Sequence, residues 1–187
     1  KELSQFVSYK ISQLKPNKTQ TVHVAGLLVG LRLVRTKRGD KMAIVTLDDR
    51  SARLDVAIFS EMFKNKQHLL EKDKIIIVSG EVSIDEFSGG YKMSAKDIQC
   101  IDEARATFAK RLVIRLTSEQ ADPTLLRSMA DVITPYKAGA CPVFIDYSVT
   151  GVNAKLVLGS DWRVHPRDEL LASLSRLSGP QTIELEY

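Results

Sequence analysis

Basic side chains concentrate in one short stretch of this sequence, where they could bind a polyanion. Residues 32–53 carry seven lysines and arginines against three aspartates. Residues 1–105 hold 18 Lys and Arg against 14 Asp and Glu, so the net charge of +4 resides in that part. A local basic cluster pairs with phosphates largely without regard to base sequence, although a solvated loop is the alternative. The candidate phosphate-binding residues are Arg32, Arg35, Lys37, Arg38, Lys41, Arg50 and Arg53.

Single-stranded nucleic acid also needs flat side chains on which bases can stack. Phe87 and Tyr91 flank a predicted turn, and Lys92 follows them as a further cation for the strand. Phe59 is another candidate for stacking, or it packs under the helix that comes after it. Because aromatic residues make up only 6% of the chain, we expect weak binding rather than tight capture of a strand.

The residue types that catalysis or metal binding requires do not occur in a usable pattern. His23, His68 and His165 are scattered, and no pair has metal-ligand spacing. The sequence has no phosphate-binding GxxxxGK loop, and no serine or cysteine has a base partner by spacing. A hairpin turn explains Asp48 and Asp49. The sequence therefore predicts a binding protein without catalytic residues, metal or cofactor.

The composition is that of an ordinary globular protein. Apolar residues make up 44% and charged residues 27% of 187 residues. No window approaches the ~18 uninterrupted apolar residues of a membrane-spanning helix. The two cysteines fit a reducing compartment, so we expect a cytoplasmic protein. Because the chain begins with Lys1 and shows no signal peptide, we expect a piece of a longer chain.

Hydrophobic periodicity predicts three strands, a helix and two more strands in the first part of the chain. A helix over 2–14 precedes them. A strand over 21–35 changes its apolar face at Gly26, which predicts a bulge or bend there. Strands over 42–47 and 53–59 follow, then a helix from Ser60, as its cap, to about Lys72, and strands over 74–84 and 91–101. This order is that of the OB-fold, a five-stranded barrel, and the basic cluster falls on its first hairpin loop and strands 2 and 3.

The rest of the chain predicts a small α+β domain with the order βαββαβ. Strands are expected over 112–116, 142–149, 154–164 and 182–187, and helices over 123–136, capped by Asp122, and from Pro166 to Gly179. That order suggests a ferredoxin-like split unit. The predicted domains are an N-terminal helix and linker over 1–19, an OB-fold domain over 20–105 and an α+β domain over 106–187.

The second domain has no basic patch, and its distinctive residues suggest contact with a protein. Trp162, the only tryptophan, stands beside Arg163 and is either an interface anchor or a core residue. The alternating tail Gln181–Tyr187 either completes the sheet or is an exposed peptide for a partner. The candidate partner-binding residues are Trp162, Arg163, Gln181, Ile183, Leu185 and Tyr187.

An ordered set of short motifs resembles a known family over essentially the whole chain. The motifs lie at residues 34–42, 46–51, 70–73, 78–80, 87–90, 102–105 and 162–166. Together they resemble the C-terminal region of the bacterial DNA polymerase III alpha subunit, which comprises an OB domain and a tau-binding domain. The loop TKRG alone is weak evidence, because many OB domains carry one, whereas the ordered set is specific.

The resemblance implies a noncatalytic region of the replisome, with the polymerase's catalytic carboxylates, phosphoesterase-like domain and internal clamp-binding peptide upstream. It implies that Arg35, Lys37, Arg38 and Lys41 face single-stranded template DNA. The second domain and its tail would contact the tau subunit of the clamp loader. The tail also loosely resembles a sliding-clamp-binding peptide, without the paired Leu-Phe ending that fills the clamp's pocket.

Two other functions account for part of these observations. An OB module that reads RNA, as in the anticodon-binding domains of tRNA synthetases, explains the barrel but not the second domain. A purely structural scaffold that packs against other polymerase domains explains both domains without any nucleic acid.

Overall fold

The computed structural model describes residues 2–36, 39–86 and 89–187, with the backbone alone at 17–19. The chain divides into two compact units, residues 1–101 and 102–187. The sequence prediction places the domain boundary after Arg105, whereas the structure divides the chain between Ile101 and Asp102.

The first unit is a closed five-stranded barrel with one α-helix between its third and fourth strands. The elements are β1 (Asn17–Arg35), β2 (Lys41–Asp48), β3 (Arg53–Ile58), α1 (Ser60–Lys66), β4 (Ile75–Ile84) and β5 (Tyr91–Gln99). The strand order around the barrel is β1-β2-β3-β5-β4. Neighbours are antiparallel except β3 and β5, which run parallel where the barrel closes. The predicted OB-fold is therefore confirmed.

The long strand β1 serves both halves of the barrel. Its residues from Val22 to Leu27 pair with β4, and those from Leu27 to Arg35 pair with β2. The sequence predicts a bulge or bend at Gly26, whereas the register irregularity against β2 lies between Leu28 and Gly30. Gly26 instead marks a close approach, because a Cβ there would lie 3.2 Å from the backbone of Asp48.

Buried aliphatic residues from all five strands fill the barrel, and Met62 and Phe63 of α1 pack against them. β2 and β3 alternate strictly, so Val45, Leu47 and Val56 are fully buried and the residues between them face outward. Alternation of this kind is what allows one face of each strand to carry a binding surface.

The helix predicted over 2–14 is wrong, because this segment forms only two short 3-10 turns, Glu2–Gln5 and Ile11–Gln13. Backbone donors that a helix would use bind the barrel instead. Ser8 N donates to His23 O at 2.9 Å, and Ile11 N donates to Asp49 Oδ2 at 2.8 Å. The apolar spacing that suggested a helix buries Phe6, Ile11 and Leu14.

The helix predicted from Ser60 to Lys72 is shorter than expected. It ends at Lys66 and continues as a 3-10 turn over Gln67–Leu69. Phe59, not Ser60, occupies the N-cap position, and no side chain caps the helix. The last barrel strand likewise ends at Gln99, because Ile101 already begins the next helix.

The second unit has a four-stranded sheet. Its elements are α2 (Ile101–Phe108), which begins at the boundary, β6 (Arg111–Thr117), α3 (Pro123–Ile133), β7 (Lys137–Cys141), β8 (Val143–Val149), β9 (Val152–Val157), α4 (Asp168–Ser178) and β10 (Ile183–Glu186). The strand order is β10-β6-β8-β9. An α+β domain is confirmed, and the sheet strands and their helices follow the predicted βαββαβ order, with α2 and β7 in addition to it, but the ferredoxin-like arrangement is wrong. A split unit places a strand between the two strands that a helix joins, whereas β6 and β8 pair directly and in parallel.

Local chemistry accounts for the bounds of the second unit's helices. Asp122 Oδ1 accepts a hydrogen bond from Thr124 N at 2.6 Å, which begins α3 as predicted and lowers the pKa of Asp122. Gly179 ends α4 with a φ of 106°, a conformation that favours glycine. The strand predicted over 154–164 ends at Val157, because residues Ser160–Trp162 form a 3-10 turn.

Among the described residues, no helix is long and apolar enough to cross a membrane.

Candidate nucleic-acid interface and docking surface

The hairpin between β1 and β2 brings two of the predicted cations together. Arg35 and Lys41 are Cα partners at its end, so their side chains share one face. Thr36 closes the turn, because its amide donates to Asp40 O and its Oγ1 accepts from Asp40 N at 3.2 Å. Arg35 and Lys41 are both exposed, and neither has an ion pair with another residue that the structure describes. Lys37 and Arg38 lie outside the described residues.

Two leucines on the same face were missed as surface residues by the sequence analysis. Leu31 and Leu33 alternate with Arg35 and continue the row of β1 that faces the core. Their partners Val45 and Ala43 are buried, yet Leu31 is 44% and Leu33 62% exposed. The strand predicted over 21–35 was already longer than a strand needs to cross a small barrel, which could have indicated an exposed end, and the observed β1 has 19 residues. Apolar side chains beside cations can contact bases while the cations hold phosphates.

Arg32 lies on the opposite face of β1 and is paired with a carboxylate. Its Nη2 lies 3.0 Å from Asp55 Oδ2 on β3, and Thr46 Oγ1 donates to Asp55 Oδ1 at 2.6 Å. Lys92 of β5 is the Cα partner of Asp55, and its Nζ lies 3.3 Å from Asp85 Oδ1. These pairs neutralise this part of the face.

The remaining predicted cations, Arg50 and Arg53, lie at the turn between β2 and β3. Arg53 Nε lies 3.0 Å from Asp48 Oδ2, and Arg50 has a left-handed φ of 68°. β2 separates this turn from the Arg35–Lys41 end by about 23 Å, at ~3.3 Å per residue. The described members of the predicted basic set therefore do not converge in one cluster: Arg35 and Lys41 lie at one end of β2 and Arg50 and Arg53 at the other, and Arg32, Arg53 and Lys92 are in ion pairs.

Hydrogen bonds within that turn also set the ionisation of its two aspartates. The pKa of Asp48 is lowered chiefly by the hydrogen bond from Arg50 N, and also by Arg53. Partial burial acts to raise the pKa of Asp49, but donors from Ser51, Ile11 and Ala52 outweigh it and lower the pKa. Both carboxylates therefore serve the turn, as the sequence predicts, and stay ionised.

The aromatic candidates are exposed but separate. Phe59 is 53% exposed, so it does not pack under α1. It borders a shallow cavity of about 410 Å³ with Lys66 and Lys96. Tyr91 is exposed opposite Ile84, whose side chain is also exposed. Phe87 lies outside the described residues.

Trp162 of the second unit borders an apolar groove of about 280 Å³. The ring is half-buried, and Lys137 Nζ lies 3.3 Å from its centroid, in cation–π geometry. Arg163 beside it is exposed. The other residues that border the groove are Ile114, Leu126, Met129, Ala130, Ile133, Ile145 and Leu158. Trp162 is thus neither a core residue of a long strand nor fully exposed.

Strand β9 forms an open edge of the sheet beside this groove. Val152, Leu156 and Val157 are more than half exposed. Leu156 is the Cα partner of Ile145 and shares the face on which Ile145 borders the groove. An exposed apolar edge strand is a template for pairing with another chain.

The tail completes the sheet rather than projecting as a free peptide. Ile183 and Leu185 of β10 are the Cα partners of Ile114 and Leu112 and pack on the core of the unit. Two ion pairs join the other face, Arg111 with Glu186 at 2.6 Å and Arg115 with Glu184. Glu184 raises the pKa of Arg115. Gln181 is exposed before the strand, and Tyr187 is partly buried after it.

Among the residues that the structure describes, no group of three or more His, Cys, Asp or Glu side chains is placed to hold a metal ion. Burial raises the pKa of Cys141 to about 11, which makes this thiol a poor nucleophile.

The closed barrel and the helix before β4 define the class of OB-fold nucleic-acid-binding domains, here followed by an α+β domain. The family model described as an OB-fold nucleic acid binding domain matches residues 22–101. The model for the C-terminal domain of DNA polymerase III subunit alpha matches residues 128–179. The chain thus corresponds in sequence to the C-terminal region of the DNA polymerase III alpha subunit, and the resemblance found in the sequence is confirmed.

Two curated relatives show the extent of this match. The DNA polymerase III alpha subunit of Pasteurella multocida (strain Pm70) is 42% identical, and that of Escherichia coli O157:H7 is 43% identical. Each alignment covers 100% of this chain and 16% of the relative. The match falls on the C-terminal part of the alpha subunit, and the catalytic part lies elsewhere in those chains.

Among solved structures, the second OB-fold domain of replication protein A from Methanococcus maripaludis is 25% identical. The match covers 50% of this chain and 93% of that domain, with a TM-score of 0.36. A likeness of that size adds nothing to what the barrel topology already shows.

Proposed function

We propose that this chain is a noncatalytic, cytoplasmic part of a replicative polymerase within the replisome, packed with the rest of its alpha subunit. The barrel binds single-stranded DNA weakly, and the second unit docks the tau subunit of the clamp loader. One observation carries the first half: Arg35 and Lys41 lie side by side, without carboxylate partners among the described residues, next to exposed Leu31 and Leu33. This surface stands at the hairpin loop through which OB-folds bind oligonucleotides.

The DNA-binding half predicts a salt-dependent affinity. Each phosphate contact with a single strand contributes about 0.7 to the slope of log K against log salt. The double variant Arg35→Gln/Lys41→Gln should therefore bind a labelled oligothymidylate with a slope shallower by about 1.4. Fluorescence anisotropy over a range of salt concentrations measures this.

A matched control is Lys72→Gln/Lys74→Gln, which removes two exposed lysines of the same unit from the segment before β4. This control should retain the slope of the unaltered chain. Equal slopes for the two double variants, or a flat plot for the unaltered chain, would contradict the assignment. A flat plot would favour the scaffold function instead.

Comparison of DNA with RNA tests the alternative of an RNA-reading OB module. An RNA reader should use the 2′-hydroxyl and bind the RNA oligonucleotide more tightly than the DNA of the same sequence. We expect no preference for RNA, because the proposed surface offers cations and leucines.

The docking half is supported by the groove beside Trp162 and by the open edge β9. A half-buried tryptophan that borders an apolar groove is a typical anchor of a protein interface. Arg163, exposed next to Trp162 in the chain, and the exposed apolar residues of β9 extend the surface. Ile183 and Leu185 face the core, so the tail contributes chiefly by completing the sheet. Contact with a sliding clamp through residues 181–187 would require the tail to leave the sheet.

We expect Trp162→Ala and Leu126→Asn to weaken binding of the C-terminal portion of tau at least tenfold, because both remove apolar surface from the groove. Leu177→Asn is the matched control, since Leu177 of α4 is as exposed as Leu126 but does not border the groove. Isothermal titration calorimetry measures the affinities, and circular dichroism checks the fold. Unchanged affinity in folded Trp162→Ala and Leu126→Asn would rule out the groove.

A further inference from the structure

Three of the barrel cations that the sequence predicts to bind nucleic acid are already paired with carboxylates of the same domain. Arg32 of β1 reaches across β2 to Asp55 of β3, Arg53 of β3 pairs with Asp48 of the adjacent β2, and Lys92 of β5 pairs with Asp85, which follows β4. The pairs are Arg32–Asp55 (3.0 Å), Arg53–Asp48 (3.0 Å) and Lys92–Asp85 (3.3 Å). The geometry of each pair resembles that of a cation on a DNA phosphate.

Stability does not explain these pairs, because exposed ion pairs contribute little to folding. The side chain of Arg32 remains 65% exposed within its pair, and that of Arg53 70% exposed. Two of the three carboxylates, in contrast, are held in place by other donors. Thr46 Oγ1 donates to Asp55 at 2.6 Å, and Arg50 N donates to Asp48 at 2.8 Å. Arg32 and Arg53 therefore have exposed side chains, and each binds a carboxylate that another donor fixes in position.

We propose that Asp48, Asp55 and Asp85 compete with DNA phosphates for the cations of the barrel. This inference rests on the proposed binding of single-stranded DNA. A strand must displace a carboxylate before it gains Arg32, Arg53 or Lys92, so only the unpaired cations of the hairpin contribute fully. The result is a low affinity for single-stranded DNA, so that a template strand dissociates readily.

The variant Asp55→Asn tests this proposal without disturbing the local structure. Asparagine keeps the Oδ1 acceptor for Thr46 and removes only the charge that holds Arg32. One released cation adds one phosphate contact, so affinity should rise about fivefold at about 0.1 M salt, and the salt slope should steepen by about 0.7. The measurement is fluorescence anisotropy of the 187-residue chain with a labelled oligothymidylate of about 16 nucleotides.

The variant Asp73→Asn is the matched control. Asp73 belongs to the same unit, is exposed, and forms none of these pairs; its φ is 64°, which asparagine tolerates. The change in net charge is the same, so a general effect of charge would appear equally in both variants. Equal affinities for Asp55→Asn and Asp73→Asn, or weaker binding by Asp55→Asn, would overturn the proposal.

A double variant separates the release of Arg32 from other effects of Asp55. In Arg32→Gln/Asp55→Asn the gain in affinity should disappear, because the cation that Asp55 releases is absent. A gain that persists would overturn the role given to Asp55. If neither the unaltered chain nor any variant binds the oligonucleotide at low salt, the proposed DNA binding itself fails. If the unaltered chain binds the oligonucleotide but Asp55→Asn shows no gain in affinity, only the proposed competition by carboxylates is overturned.

Discussion

Replacing Gly80 by alanine is expected to destabilise the barrel by about 3 kcal/mol. Under conditions in which the variant barrel unfolds, DNA binding is lost. Gly80 lies in the middle of β4, between its partners Val22 on β1 and Ala95 on β5. A Cβ at this position would lie 2.1 Å from Ser94 O and 2.9 Å from Ser94 C. Both atoms are backbone of a paired strand, so they cannot move without breaking the β4–β5 ladder.

Urea denaturation followed by far-UV circular dichroism measures this loss. Tryptophan fluorescence does not report on the barrel directly, because Trp162 belongs to the second unit. Gly30→Ala is the matched control in the same barrel. Its Cβ would lie 3.2 Å from Oγ1 and 3.3 Å from Cβ of Thr46, a much milder approach than that at Gly80, so we expect a cost below about 1 kcal/mol. If both variants unfold at the same urea concentration, the close approach at Gly80 does not constrain the barrel.

The parts of the fold that sequence predicted well are those that local chemistry determines. The turn at Asp48–Ser51 was predicted because aspartate side chains bond nearby backbone, and Asp49 Oδ1 accepts from Ser51 N and Ala52 N. The start of α3 was predicted because aspartate followed by proline begins helices. The positions of the barrel strands along the chain followed from hydrophobic alternation, which is also local.

The errors arise where distant segments decide the outcome. The N-terminal helix failed because the barrel takes the backbone donors of Ser8 and Ile11. The ferredoxin-like topology failed because strand neighbours depend on packing and not on element order.

The sequence predicted which types of residue form the candidate site, but not how those residues are arranged in space. Arg35 and Lys41 were placed correctly on one hairpin, because they flank one turn. Asp55 lies 23 positions from Arg32, and no pattern in the sequence indicates that they pair. Charge clusters in a sequence therefore overestimate the charge of a surface, since they omit the carboxylates that other strands bring.

Deleting Gln181–Tyr187 is expected to destabilise the second unit by about 3 kcal/mol or more. The deletion removes β10, so the edge of β6 opens and Leu112 and Ile114 lose the apolar cover of Ile183 and Leu185. Burial of one such side chain contributes about 1.5–3 kcal/mol, and two are lost. Urea denaturation followed by Trp162 fluorescence measures the effect, because Trp162 and Ile114 border the same groove.

The variant Glu184→Gln/Glu186→Gln distinguishes the stability that β10 contributes by packing from the stability that its ion pairs contribute. This variant retains β10 and its apolar contacts, and it removes only the ion pairs with Arg115 and Arg111. Exposed pairs of this kind contribute less than about 1 kcal/mol, so the urea midpoint should change little. An unchanged midpoint in the truncated chain would show that β10 does not stabilise the unit. If the truncation is destabilising, loss of tau binding in it cannot be assigned to a contact with the tail, and the variants of the groove decide where tau docks.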